Sequence, residues 1–167
     1  MIYEVEGDIL LSRAQAIAHG VAPNDPMHQG LALSLHERFP SMHKDYHHWC
    51  HNQHPRPGAI WAWSGSRGAD GTSLTVINLL TQDGGYDGDR PGKANESNIR
   101  HSLKELRKLL EAENIASVAL PRLATGVGGM DWTVVRPMLE TYLGDLTIPV
   151  YLYVTYHAGQ QAPEPGA

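Results

Sequence analysis

One amphipathic helix restricts the class of fold open to this chain. From Asn95 to Glu113 the apolar residues Ile99, Leu103, Leu106 and Leu110 recur at helical spacing, while Lys104, Arg107 and Lys108 take other faces. A single apolar stripe needs a surface to bury it. Short β-compatible runs lie on both sides: Ile2–Glu6, Ala16–Ala22, Ala59–Ser64 and Leu74–Thr81 before the helix, Ser117–Leu120 and Val150–Tyr156 after it. Shorter helices are expected over Gly30–Phe39, Ser41–His51 and Trp132–Leu143, the last bent or started late by Pro137. Alternation of this kind predicts a three-layer α/β domain with a largely buried sheet, and places ligands at strand ends.

The 167 residues, 41% hydrophobic and 19% charged, suit one domain of ordinary core size. That domain is expected over residues 1–157, with the polar stretch AGQQAPEPGA (158–167) expected to be disordered because it has no apolar face to bury. No apolar run approaches the roughly 20 residues a bilayer span needs, and the start MIYEVEGD is too acidic for a signal peptide. The lone Cys50 excludes an internal disulfide, so a cytoplasmic monomer without membrane or obligate protein partner is the expectation. A formal net charge of −5 argues against a broad, sequence-independent grip on nucleic acid.

Two loops carry the chemical signal. In ALPRLATGVGGMDW an apolar strand leads through Gly126, Gly128 and Gly129 to a helix beginning near Asp131. Unpaired backbone N–H groups and a helix dipole then converge on one point, which suits a phosphate, although the spacing is neither a Walker A nor a Rossmann fingerprint. The same residues also suit a plain turn with Asp131 as a helix cap. In AIAHGVAPNDPMHQGLALSLHERFP a second strand leads through a long loop with two prolines to a helix opening at Gly30.

Together with EGDIL near the N-terminus, these loops resemble the macro domain family. The similarity is to the branch containing terminal ADP-ribose protein glycohydrolase and the DNA ADP-ribosyl glycohydrolase antitoxins, and it spans Ile2 to about Tyr156. The resemblance implies a three-layer α/β/α sandwich with a mixed, about six-stranded central sheet, and ADP-ribose lying across the strand ends. It implies that Asp8 accepts a hydrogen bond from the adenine amino group, with Ile9 beside it and Tyr153 packed against the base. It places His19, Met27, Gln29, Gly30 and Leu31 at the distal ribose and diphosphate. Leu123, Ala124, Thr125, Gly126, Val127, Gly128, Gly129 and Met130 wrap the diphosphate from the other side. Leu80, Thr81 and Gln82 lie beneath the distal ribose, following Asn78.

Departures from the branch bear on turnover. The branch has a lysine where this chain has Gln82, and the protein-directed glycohydrolase has an aspartate at the position of Gly128. The lysine–aspartate mechanism is therefore absent, and hydrolysis would run through a positioned water. His28 and Gln29 replace small residues and should narrow or repolarise the distal pocket. Asp83, Tyr86, Asp87 and Asp89, in the Gly-rich segment TQDGGYDGDRPGKANES, offer polar groups; Asp83 is the first choice of proton acceptor, with Gln82 and His28 completing the catalytic set. His19, like His28, is an alternative proton acceptor near the ribose, but it reads first as a strand histidine hydrogen-bonded inside the fold.

His43, His47 and His51 recur at four-residue spacing near Cys50 and His54. No glutamate adjoins the first of them as a catalytic zinc motif requires, so neither a metal nor a cofactor is assigned. The sequence reading is thus an enzyme that hydrolyses ADP-ribosyl groups from acidic side chains of protein or thymidine of DNA; the alternative is an inactive reader of ADP-ribose.

Overall fold

A computed structural model describes residues 1–68, 71–84 and 91–166. Among the described residues the strands are β1 (Ile2–Gly7), β2 (Ala16–Val21), β3 (Ile60–Ser66), β4 (Ser73–Leu80), β5 (Gln82–Gly84), β6 (Pro91–Ala94), β7 (Val118–Pro121) and β8 (Val150–Tyr156). The helices are α1 (Gly30–Arg38), α2 (Pro40–Gln53), α3 (Glu96–Ala112) and α4 (Trp132–Leu143). Six strands form one sheet in the order β1-β8-β7-β2-β4-β3, parallel except for β3, which pairs antiparallel with β4. β5 and β6 make a separate hairpin.

Two apolar cores, one on each sheet face, explain why the strands read as nearly continuous apolar runs. In β2, Ala16 and Ala18 face the core under α3 and α4, whereas Ile17 and Val21 face the core under α1 and α2. In β8, Val150 and Leu152 take the first side and Tyr151 and Tyr153 the second. Such alternation is the period-two geometry of a strand covered on both faces. The stripe Ile99, Leu103, Leu106 and Leu110 of α3 is buried in the first core, as its spacing predicts. The three layers and the mixed six-stranded sheet expected from the sequence are present. No helix among the described residues is long and apolar enough to cross a membrane.

Three local expectations are corrected. Pro137 lies inside α4, which runs without a break from Trp132 to Leu143, capped by Asp131 through its bond from Thr133 N. The Gly-rich segment that follows Leu80, for which the sequence predicts no strand, contributes Gln82–Gly84 and Pro91–Ala94 as the paired strands β5 and β6. The C-terminal stretch is not free: the backbone N–H of Asp8 donates to Gln160 O at 2.7 Å, Ala162 is buried, and Tyr151 Oη donates to Pro165 O at 2.6 Å. Backbone groups and one carboxylate hold this tail, so its polar composition did not signal order.

Candidate functional site

β2 and β7 are parallel neighbours, and the two long loops leave the same edge of the sheet from Val21 and Pro121. Between the loops lie two adjoining cavities that share Gly30, Leu31 and Pro121, of about 310 Å³ and about 390 Å³. This is the strand-end crevice of an α/β sheet.

The smaller cavity is flanked by two sets of unpaired backbone donors. Helix α1 starts with no side-chain cap, in contrast to α3 and α4, capped by Asn95 and Asp131. The N–H groups of Gly30, Leu31 and Ala32 are therefore the orphan donors of a helix N-terminus, and all three residues line the cavity. Opposite them, the N–H groups of Gly126, Val127 and Gly128 donate to no acceptor among the described residues. A Cβ on Gly128 would sit 2.7 Å from Ala124 O, so only glycine lets this loop close. Met27 (φ 55°) and Ala124 (φ 63°), one in each loop, hold left-handed backbone at a cost of about 1–3 kcal/mol apiece, which the surrounding bonds must offset.

Asp25 supplies such bonds in the first loop. Its Oδ2 accepts from Ala22 N at 2.9 Å and its Oδ1 from Met27 N at 2.8 Å, and the residue is buried while lining the cavity. It is not among the residues singled out from the sequence; the signal present there is an Asp between Pro23 and Pro26, where a carboxylate accepts from its own backbone two residues on. Arg122, also missed, lines the cavity with its guanidinium 5.6 Å from the Trp132 ring centroid and pairs with no carboxylate among the described residues.

The expected residues divide clearly. His19, His28, Gln29, Gln82, Ala124, Gly126, Val127 and Gly128 line the smaller cavity with Gly30 and Leu31. Asp8, Ile9 and Tyr153 line the larger one, also with Gly30 and Leu31. Met27, Leu80, Thr81 and Leu123 are fully buried beneath, and Thr125, Gly129 and Met130 belong to the second loop without lining either cavity. Asp83 is placed elsewhere: it is exposed, and its Oδ1 accepts from Asn98 Nδ2 at 3.0 Å on α3. That bond turns the carboxylate toward the helix rather than the cavity. Tyr86, Asp87 and Asp89 lie outside the described residues.

His19 is buried with Nε2 2.7 Å from Asn78 Oδ1, and burial pushes its imidazole below the ordinary range, so it is neutral at pH 7. Gln82 donates Nε2 to Gly92 O at 3.1 Å, which leaves its carbonyl oxygen as an acceptor. At the other end Asp8 Oδ1 accepts from Leu10 N at 3.0 Å and Oδ2 from Gly159 N at 3.0 Å. Burial first, then the bond to Glu164, raises the Tyr153 hydroxyl well above the ordinary tyrosine range, so it stays a donor at neutral pH. In α2, His43 stacks on His36 with centroids 4.0 Å apart, and among the described residues no three His, Cys, Asp or Glu side chains are grouped to hold a metal ion.

The Macro domain family model matches residues 18–139, which include both loops. The chain belongs to the macro domain family. It is 30% identical over 159 residues to a DNA ADP-ribosyl transferase-DNA ADP-ribosyl glycohydrolase fusion protein of Thermosipho africanus, covering 90% of this chain and 41% of that one. The chain thus spans about two fifths of the length of this curated relative. Among solved structures it is similar to the macrodomain of Mycobacterium tuberculosis DarG, with 26% identity, a TM-score of 0.79 and coverage of 92% of this chain and 97% of that one. Thermosipho africanus DarTG in complex with ADP-ribose shares the fold, with a TM-score of 0.80 at 24% identity over 97% of this chain and 43% of that one.

For a macro domain with this cleft, replacing Asp8 tests how the larger cavity is used. If ADP-ribose lies in the cleft with its adenine in this cavity, Asp8→Ala is expected to weaken its binding by about 1.5–3 kcal/mol, the range for a hydrogen bond to a charged acceptor. Calorimetry on the two proteins measures it, and equal affinities would remove adenine from that cavity.

Proposed function

We propose that the chain binds ADP-ribose and hydrolyses ADP-ribosyl groups from a macromolecule. The observation that carries this reading is the pair of facing, unpaired N–H sets at the α1 start and Gly126–Gly128, a cradle for two phosphates that uses fixed dipoles. Adenine then occupies the cavity at Asp8 and Tyr153, and the distal ribose reaches His28 and Gln82. The names of the relatives support removal of ADP-ribose from DNA as the reaction class.

Water attacks the anomeric carbon of the distal ribose, and the bond to the leaving carboxylate oxygen or imide nitrogen breaks with its electron pair. The proton released by water passes to His28, an exposed imidazole in the cavity wall. The Gln82 carbonyl oxygen orients that water. His19, neutral and held by Asn78, supports the cavity floor. Asp83 serves as a tie between the hairpin and α3.

Incubation with thymidine-linked ADP-ribosyl DNA and glutamate-linked ADP-ribosyl protein, with free ADP-ribose as readout, tests the reading. Gln82→Ala is expected to slow release roughly tenfold, equivalent to about 1.4 kcal/mol. His28→Ala should slow it about a hundredfold, at the low end of general-base effects, and Asp83→Ala should change little. A borohydride-trapped ADP-ribosyl lysine would overturn the water route. A second reading, a reader without turnover, is favoured by Gln82 alone, where the branch carries its lysine; binding of ADP-ribose with no release from either substrate would establish it.

A further inference from the structure

The C-terminal stretch does more than close the sheet. After β8 the chain turns back along β1, with His157 N donating to Gly7 O at 3.1 Å and Asp8 N to Gln160 O at 2.7 Å. Gly159 N donates to Asp8 Oδ2 at 3.0 Å, so one oxygen of the cavity-lining carboxylate is aimed by the tail and the other by Leu10 N. Further on, Glu164 places one carboxylate against three donors: Ser12 Oγ at 2.6 Å and Tyr153 Oη at 2.7 Å on Oε2, and Arg13 N at 2.9 Å on Oε1. The backbone of Gly7 admits this path only because it has no side chain, since a Cβ there would lie 2.9 Å from Ala162 Cβ and 2.8 Å from Gln160 O.

The polar side chains lining the larger cavity are Asp8, Ser34, Tyr153 and Tyr156, and of these Asp8 and Tyr153 are oriented by residues 159–164. A carboxylate offers about four lone-pair sites, two of which are taken here by Leu10 N and Gly159 N. The remaining lone pairs are left to accept from a ligand in the cavity that Asp8 lines. A purine with an exocyclic amino group at that edge donates into it; one with a carbonyl there meets lone pairs with lone pairs. We propose that the tail is a specificity element, in which Glu164 and the Gly159 backbone are positioning groups that hold Asp8 and Tyr153 for adenine over guanine. The assignment rests on the ADP-ribose reading of the cleft.

The experiment uses the full chain carrying Glu164→Ala, Glu164→Gln, Tyr153→Phe or the double substitution Glu164→Ala/Tyr153→Phe, with thermal melts to verify folding. Affinities are measured for ADP-ribose, GDP-ribose and ribose 5-phosphate. Glu164→Ala is expected to weaken ADP-ribose binding roughly tenfold and to narrow its preference over GDP-ribose, with ribose 5-phosphate unchanged. Glu164→Gln, which keeps an acceptor for Tyr153 Oη, recovers most of the loss, and the double variant binds about as well as Tyr153→Phe, because the two side chains act as one unit. Equal losses for ADP-ribose and ribose 5-phosphate, or an unchanged preference over GDP-ribose, would overturn the assignment. Should the alanine variant fail to fold, the Tyr153→Phe and Glu164→Gln proteins decide by the same comparison. Failure of the unsubstituted chain to bind ADP-ribose overturns the reading of the cleft itself, whereas normal binding with indifferent variants overturns only the role of the tail.

Discussion

Gly126→Glu is expected to abolish ADP-ribose binding while leaving the fold intact. A Cβ on Gly126 meets nothing within 4 Å, so the larger side chain enters open space at the cavity wall rather than displacing the loop. Its carboxylate then stands beside the N–H groups of Val127 and Gly128 that the proposed diphosphate requires. Two like charges about 4 Å apart at an effective dielectric of 20 repel by about 4 kcal/mol, roughly a thousandfold in affinity. The same change at Gly128 makes a poorer test, because Ala124 O blocks any Cβ and the backbone itself would shift. Calorimetry and circular dichroism on Gly126→Glu separate the outcomes. Native spectra with unchanged affinity would mean that the second loop is only a connection between β7 and α4.

What the sequence made legible follows from periodicity and loop chemistry. The buried stripe of α3 and the two-sided apolar strands carry strong signals, because each repeats a geometric period over many residues. Glycines at 126 and 128 likewise announce a backbone that must come close to something. The β5–β6 hairpin was illegible for the opposite reason: its strands are three and four residues long, without apolar alternation, and are held to the second loop by Ala94 N donating to Gly128 O. Asp83 looked well placed by adjacency to Gln82, yet successive strand residues point to opposite faces, and Asn98 draws its carboxylate to α3. In the tail, a single glutamate among prolines and glycines reads as solvated until its three donors, all more than ten residues away in sequence, are brought beside it. Long-range polar contacts of this kind leave no local pattern.

Asp25 is the same lesson at the centre of the site, and its removal should have the larger effect on stability. Its two oxygens serve Ala22 N and Met27 N inside a buried loop, and Met27 keeps its left-handed backbone with its side chain sunk in the core beneath. Asp25→Ala orphans both N–H groups at about 1–3 kcal/mol each, a total of about 2–6 kcal/mol against a typical domain stability of about 5–15 kcal/mol. Asp25→Asn has nearly the same shape but turns an NH2 toward one of the two donors, so it should lose about half as much. Tyr46 Oη from α2 donates to Ala22 O at 2.7 Å and His36 Nδ1 lies 3.4 Å from Met27 O, so helix contacts remain to keep the loop from detaching. The expected result is therefore a lower urea midpoint with an unchanged slope, together with weaker ADP-ribose binding as the orphan donors of α1 lose their alignment. Urea titration and calorimetry on the two variants test it. Stability within about 0.5 kcal/mol of the unsubstituted chain, the range of ordinary surface changes, would show that the loop holds its conformation without this carboxylate.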